Sequence, residues 1–378
     1  MAARMASSHQ GRRLVQVEAQ AAPAITCSHP CGCAFGVDYG EDLCTYANTT
    51  QDVRLLQAEL NKPDADFTTA LDIYNNARIA KRPDGTPRTM VSVTKRNYSQ
   101  EAFYALSSSY YKKQFYLDDV FGAALRGDGD YAGACCGVRA EVAIAGSRWF
   151  AGAFAMHEVN AGQCFATGCN ARAINLPLAA EEILHGMAIL TAADGTSAKA
   201  PKAPNGTANP TTLFQVTNTI GKFYCTFSAS KKEPLSPVNR ATVTASQDAS
   251  AAAAAGNLPG LATHYEAIEK AFVARFLQYS LRSAYDASKT ASKGLLKKSG
   301  ACRSPCLRLA QQAAARTYFR AAEPIIARTN PDLVARANAI LTAPNPLKTY
   351  KDLVLAYQAI ATALGQDTKK LLLKCKTK

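Results

Sequence analysis

Residues 138–161, VRAEVAIAGSRWFAGAFAMHEVNA, decide the fold. Apolar and small side chains recur at helical spacing and surround most of the circumference. A helix that is apolar on all sides is a buried one, so the stretch predicts a central helix of a bundle. His157 and Glu158 interrupt it towards its end. A buried charge there needs a partner. Adjacent helical residues point about 100° apart, and the two can still border one cavity.

The same periodicity extends outward in both directions. Helical spacing marks TQDVRLLQAEL (50–60), and Asp66 is placed to cap FTTALDIYNNAR (67–78). Further helices are expected at the end of 100–126, at 178–193, 263–288, 302–320, 331–342 and 350–364. Thr263 and Glu266 have capping-box spacing at the start of the 263–288 helix. Breaks fall at KRPDGTPR (81–88), at Gly127–Gly137, and at the Pro/Gly/Ser/Thr stretch 194–212. Period-two alternation is scarce. The expected fold is all-α, a multi-helix bundle array with long Pro/Gly/Ala-rich connecting loops, stapled by disulfides. Residues 1–23 form a processed or disordered segment and 24–228 a first helical lobe with a Cys-rich start. The low-complexity stretch 229–262, with its alanine run at 251–255, is expected to be a loop before a second lobe at 263–378.

A chain of 378 residues, 48% apolar and 19% charged, buries a large core. Its formal net charge is +14, from 43 Lys+Arg against 29 Asp+Glu. Such a surface attracts nucleic acid, acidic lipid, acidic glycans or anionic ligands. The basic residues are spread along the chain and carry no nucleic-acid-binding signature, so no nucleic-acid partner is expected. No apolar stretch reaches the roughly 20 residues of a membrane span.

The 12 cysteines are even in number and locally clustered, which favours a disulfide framework in an oxidising compartment. Zinc is the competing reading for Cys27, Cys31, Cys33 and Cys44, with His29 among them, but no second CxxC accompanies them. Cys135-Cys136 is a vicinal pair, which normally bonds two different partners. Asn48, Asn97 and Asn205 each begin an N-glycosylation acceptor, in stretches expected to be loops or loop edges. Residues 1–23 are basic but lack the apolar core of a signal peptide.

No P-loop, dinucleotide fingerprint, nucleophile elbow or HExxH occurs. What remains is acid and histidine on helices. Glu182 and His185 form an ExxH pair on one helix face, a spacing found in helical-bundle di-iron sites, where two copies are normal; one clean copy is present here. Such a pair is more often a surface pair or a cap. Glu266 and Glu269 share a face of the long helix, as ligands or as acids favouring the helix N-terminus. His157, Glu158, Glu141, Asp72 and Asp118 complete the candidate ligand set. Oxygen donors suit hard ferric iron, and imidazole suits ferrous iron as well. Tyr74, Tyr110, Tyr111, Tyr279 and Tyr285 are expected to serve packing.

The segments DFTTALDIYNNAR (66–78), YLDDVFGAALRGDGDYAG (116–133) and RAEVAIAGSRWFAGAFAMHEVNAG (139–162) resemble the algal iron-assimilating family, proteins induced by low iron and by high carbon dioxide. EEILHGMA (181–188) and YEAIEKAFVARFLQYSLRSAYDA (265–287) look like its later helices. The resemblance implies a secreted or periplasmic protein of a green alga. It would concentrate iron at the cell surface for a membrane uptake complex, without turnover, and its ExxE-type spacings bear on Glu266 and Glu269 and, more loosely, on Glu158, Glu182 and His185. The basic charge suits an anionic ferric chelate such as citrate, or anchorage to acidic cell-wall polysaccharide. The alternatives are a structural or adhesive wall glycoprotein and a helical-bundle metal-dependent oxidase using Glu182, His185, Glu158 and His157.

Overall fold

The computed structural model describes residues 33–34, 37–38, 41–98, 101–169, 173–191, 212–227, 235–293, 302, 306–344 and 346–368. Within these, a two-residue antiparallel ladder pairs β1 (Cys33–Ala34) with β2 (Val37–Asp38). The rest is helical: α1 (Glu41–Leu60), α2 (Phe67–Asn76), α3 (Met90–Thr94), α4 (Ala102–Tyr111), α5 (Phe121–Arg126), α6 (Cys136–Thr167), α7 (Leu176–Thr191), α8 (Leu213–Phe223), α9 (Pro237–Ala254), α10 (Leu258–Lys293), α11 (Leu307–Ala327), α12 (Pro331–Leu341) and α13 (Pro346–Ala363). The expected all-α class is therefore correct.

The opening stretch is the middle of α6, a helix of 32 residues and so about 48 Å long at about 1.5 Å per residue. Trp149, Phe150, Phe154, Met156 and Val159 are all buried, as are the alanines between them. α6 packs on α7, α11, α5 and α1, while α10 packs on α9, α11 and α13. One apolar cluster links these helices, with members from Cys44 to Ala361.

Small residues set how closely the central helices approach. A Cβ added at Gly162 on α6 would stand 2.6 Å from the Ala179 carbonyl oxygen of α7. One added at Gly186 on α7 would stand 2.7 Å from the Ala155 carbonyl oxygen of α6. The two helices thus touch backbone to backbone on either side of the level at which Glu158 meets Glu182.

Disulfides hold the ends of α6. The vicinal pair bonds two partners as expected, Cys135 to Cys306 and Cys136 to Cys302, which ties the start of α6 to the start of α11. Cys164–Cys169 closes the other end, where Gly168 takes the left-handed conformation that terminates the helix. Cys44 and Cys225 are also disulfide-bonded, which removes Cys44 from the zinc alternative. Cys27, Cys31, Cys375 and residues 1–23 lie outside the described residues.

Three expectations are corrected. The stretch 229–262 is not a loop over its length. Residues 237–254 form α9, started by a Ser236 cap and Pro237, and α10 begins at Leu258. Its Ala-rich composition is low in complexity, but alanine is the strongest helix former. Nor does Thr263 cap anything: it lies inside α10, and its hydroxyl donates to the Pro259 carbonyl. Finally, α1 begins at Glu41 rather than near Thr50, so Asn48 sits in a helix rather than a loop. The Thr50 hydroxyl of that acceptor is buried and donates to the Ile189 carbonyl. Asn97 is exposed between α3 and α4, and Asn205 lies outside the described residues.

Candidate metal centre

A cavity of about 240 Å³ opens beside the end of α6. Glu158, His157 and Phe154 of α6 form its floor, with Glu182 of α7 and Tyr46 of α1. Glu101 and Tyr98 enter from the segment before α4, and Arg82, Arg88 and Arg96 complete the wall.

The loop chemistry places the arginines. KRPDGTPR is a turn, as its composition predicts: Arg82 N–H donates to the Thr86 carbonyl, and Asp84 accepts from the Thr86 amide and hydroxyl. Gly85 takes a φ of 81°, which glycine adopts without strain. The entry to this turn is held by the buried Asp52 carboxylate, which accepts the backbone N–H groups of Arg78, Ile79 and Ala80. Arg88 then lies over the Tyr46 ring at 3.8 Å, and Arg96 over Tyr98 at 5.4 Å.

The acids converge from different helices. Ligand atoms of Glu158, Glu182 and His185 lie within 4.8 Å of one another. Burial, and then the hydrogen bond shared with Glu182, push the Glu158 carboxyl well above the usual range. Burial would also raise Glu182, but hydrogen bonds from His185 and Glu158 outweigh it and hold that carboxyl below its ordinary value. His157 Nδ1 pairs with Glu101, and its Nε2 lies 3.8 Å from Glu158 Oε1. Asn160 fixes α4 against α6, accepting the Phe103 N–H and donating to the Tyr265 hydroxyl. Burial, chiefly, raises Tyr46 and Tyr98 well above the usual phenol range, so both line the cavity as neutral groups.

The remaining sequence candidates lie elsewhere, and Asp72, Asp118, Glu266 and Glu269 are each paired with a lysine or arginine. Asp72 is paired with Arg78. Asp118 is buried, accepts from Tyr74, and is bridged by Arg126 and Lys95. Glu266 pairs with Lys270, and Glu269 with Arg328. Glu141 is half-buried on α6, 17 residues before Glu158 and about 25 Å along the axis. The spacing of Glu266 and Glu269 put two acids on one helix, but a lysine one turn on and an arginine from the end of α11 fill the positions a cation would take. Conversely, Glu101, Tyr46, Tyr98 and the arginines carried no motif. They are brought in from turns and neighbouring helices, so no spacing on one helix could reveal them.

Fold and site define a helical, disulfide-stapled protein with an acid-lined cavity under arginines. The chain belongs to the low iron-inducible periplasmic protein family, whose model matches residues 14–218. The match contains every residue of the cavity and ends before α10, so Glu266 and Glu269 fall beyond it. The protein is periplasmic, in keeping with its disulfides. No curated protein and no solved structure matches the chain. Among the described residues no helix is long and apolar enough to cross a membrane.

Proposed function

We propose that this cavity captures ferric iron as an anionic chelate, holding it at the cell surface for delivery to a membrane uptake system. The observation that carries this reading is the meeting, in one cavity, of oxygen donors and guanidinium groups. Glu101, Glu158 and Glu182 are the hard oxygen donors a ferric ion prefers, and the His157 imidazole is a borderline donor that iron also accepts. Arg82, Arg88 and Arg96 supply what bare acids lack, a complement to the carboxylates of a chelate such as citrate. This also accounts for a strongly basic protein in a family induced by low iron. Side chains from several separate segments exchange ligands more readily than a closed cage does, which suits transfer onward.

The test is uptake of ferric citrate by the purified protein, followed by metal analysis after gel filtration. The wild type should retain iron, and Glu158→Gln/Glu182→Gln should lose it. Replacing Arg88 and Arg96 by Gln should weaken uptake from citrate more than uptake from a neutral chelate. A wild type that takes up no iron, or a carboxamide variant that takes up as much, overturns the proposal.

A further inference from the structure

His185 belongs to two acid clusters, and the cavity accounts for only one of them. On its far side, ligand atoms of His185, Asp42 and Glu181 also lie within 4.8 Å of one another. Glu181 and His185 are one turn apart on α7, and Asp42 stands in the first turn of α1. His185 is only 3% exposed. Its ring is stacked on Tyr46 with centroids 4.0 Å apart and planes 13° from parallel, which fixes where its two nitrogens point. Nδ1 lies 3.0 Å from Glu182 Oε2 and is hydrogen-bonded to it. Nε2 has no hydrogen-bond partner. Asp42 Oδ2 is 2.7 Å from it, but out of line for a hydrogen bond.

We infer that Asp42, Glu181 and His185 form a second metal site, for a divalent first-row ion, on the outer side of the imidazole. With Nδ1 turned to Glu182, Nε2 faces the two carboxylates, and its lone pair is the donor it would offer an ion there. A metal-ligating histidine usually donates its other N–H to a carboxylate in this way. Here Glu182 serves His185 from behind while it faces the cavity. One buried nitrogen and two carboxylate oxygens form a mixed donor set suited to ferrous iron, manganese, cobalt or zinc.

The other acids support the assignment by contrast. Asp72, Asp118, Glu266 and Glu269 are each bridged by lysine or arginine. Among the described residues neither Asp42 nor Glu181 is, in a chain with a net charge of +14. Two carboxylates not bridged by lysine or arginine therefore converge with a buried nitrogen that has no hydrogen-bond partner. Glu181 is exposed and Asp42 half-exposed, so the site opens to solvent without passing through the cavity.

This site does not depend on the capture reading, and Co²⁺ tests it separately. Equilibrium dialysis of the full-length protein against Co²⁺ should show a site retained in Glu158→Gln. Asp42→Asn/Glu181→Gln should weaken it by at least about 100-fold, since losing a group that only supports a ligand already costs about 10–100-fold. The same double variant should take up ferric citrate as the wild type does. Equal Co²⁺ affinity in Asp42→Asn/Glu181→Gln and wild type overturns the proposal. So does a loss in Glu158→Gln as large as that in the double variant, since the ion would then lie in the cavity. Glu181→Gln alone, at an exposed position where folding is not at stake, should also weaken binding, and no change there would count equally against it. Failure of ferric citrate uptake with Co²⁺ binding intact would remove the capture reading and leave this one.

Discussion

Removing the two staples at the start of α6 should cost far more together than singly. Cys135–Cys306 and Cys136–Cys302 span 171 and 166 residues. A loop of that size, closed in the unfolded chain, is worth about 5 kcal/mol on the chain-entropy relation. The two bonds run side by side, however. With one intact, the other closes only a ring through the 135–136 peptide and residues 302–306, worth about 2 kcal/mol on the same relation. Replacing either pair by serine should therefore cost about 2 kcal/mol, and replacing all four cysteines about 7 kcal/mol. Equilibrium urea unfolding without reductant gives these values by linear extrapolation. Two single-pair variants that each lose about 5 kcal/mol would refute the parallel-staple reasoning, as would a four-cysteine variant no weaker than one lacking a single pair.

Two other perturbations probe the packing around the cavity and beneath α11. Gly162→Ala places a Cβ 2.6 Å from the Ala179 carbonyl oxygen and 2.7 Å from Ile183 Cγ1. The helix-propensity gain of about 1 kcal/mol is outweighed by overpacking of about 1–3 kcal/mol, so the urea midpoint should fall; a rise would mean that α6 and α7 have room to spare. Glu323 is buried on α11, and burial holds its carboxyl above the usual range despite hydrogen bonds from Asn338 and Tyr111 and the nearby Arg320 and Arg316. The folded state therefore binds its proton more tightly than the unfolded chain. Its contribution is complete in acid and is lost as pH rises from about 4.3, the unfolded value, through the folded pKa. Glu323→Gln should flatten that fall in a stability–pH series, and an unchanged slope would show that Glu323 is not its source.

Much of the architecture was legible because helix periodicity is a local property. The all-round apolar surface of α6 marked it as central, the Asp66 cap gave the start of α2, and KRPDGTPR gave a turn. The Asp66 carboxylate does accept the Thr69 N–H. The vicinal cysteines implied two partners, since adjacent thiols in a strained eight-membered ring are uncommon, but not which two. Where composition misled, as in 237–254, alanine and serine read as low complexity although they were building a helix.

The sequence by itself determined which side chains share a helix face: Glu182 with His185, Glu181 with His185, and Glu266 with Glu269. That follows from 3.6 residues per turn and needs nothing else. Only the tertiary structure decided what stands opposite each pair. Lys270 and Arg328 meet Glu266 and Glu269, and no lysine or arginine among the described residues meets Asp42 or Glu181. Glu158 of α6 and Glu182 of α7 meet because Gly162 and Gly186 let the two helices touch. The partner across a helix interface depends on approach distance and crossing geometry, which are set by packing of residues far apart in the chain and leave no periodic trace in it.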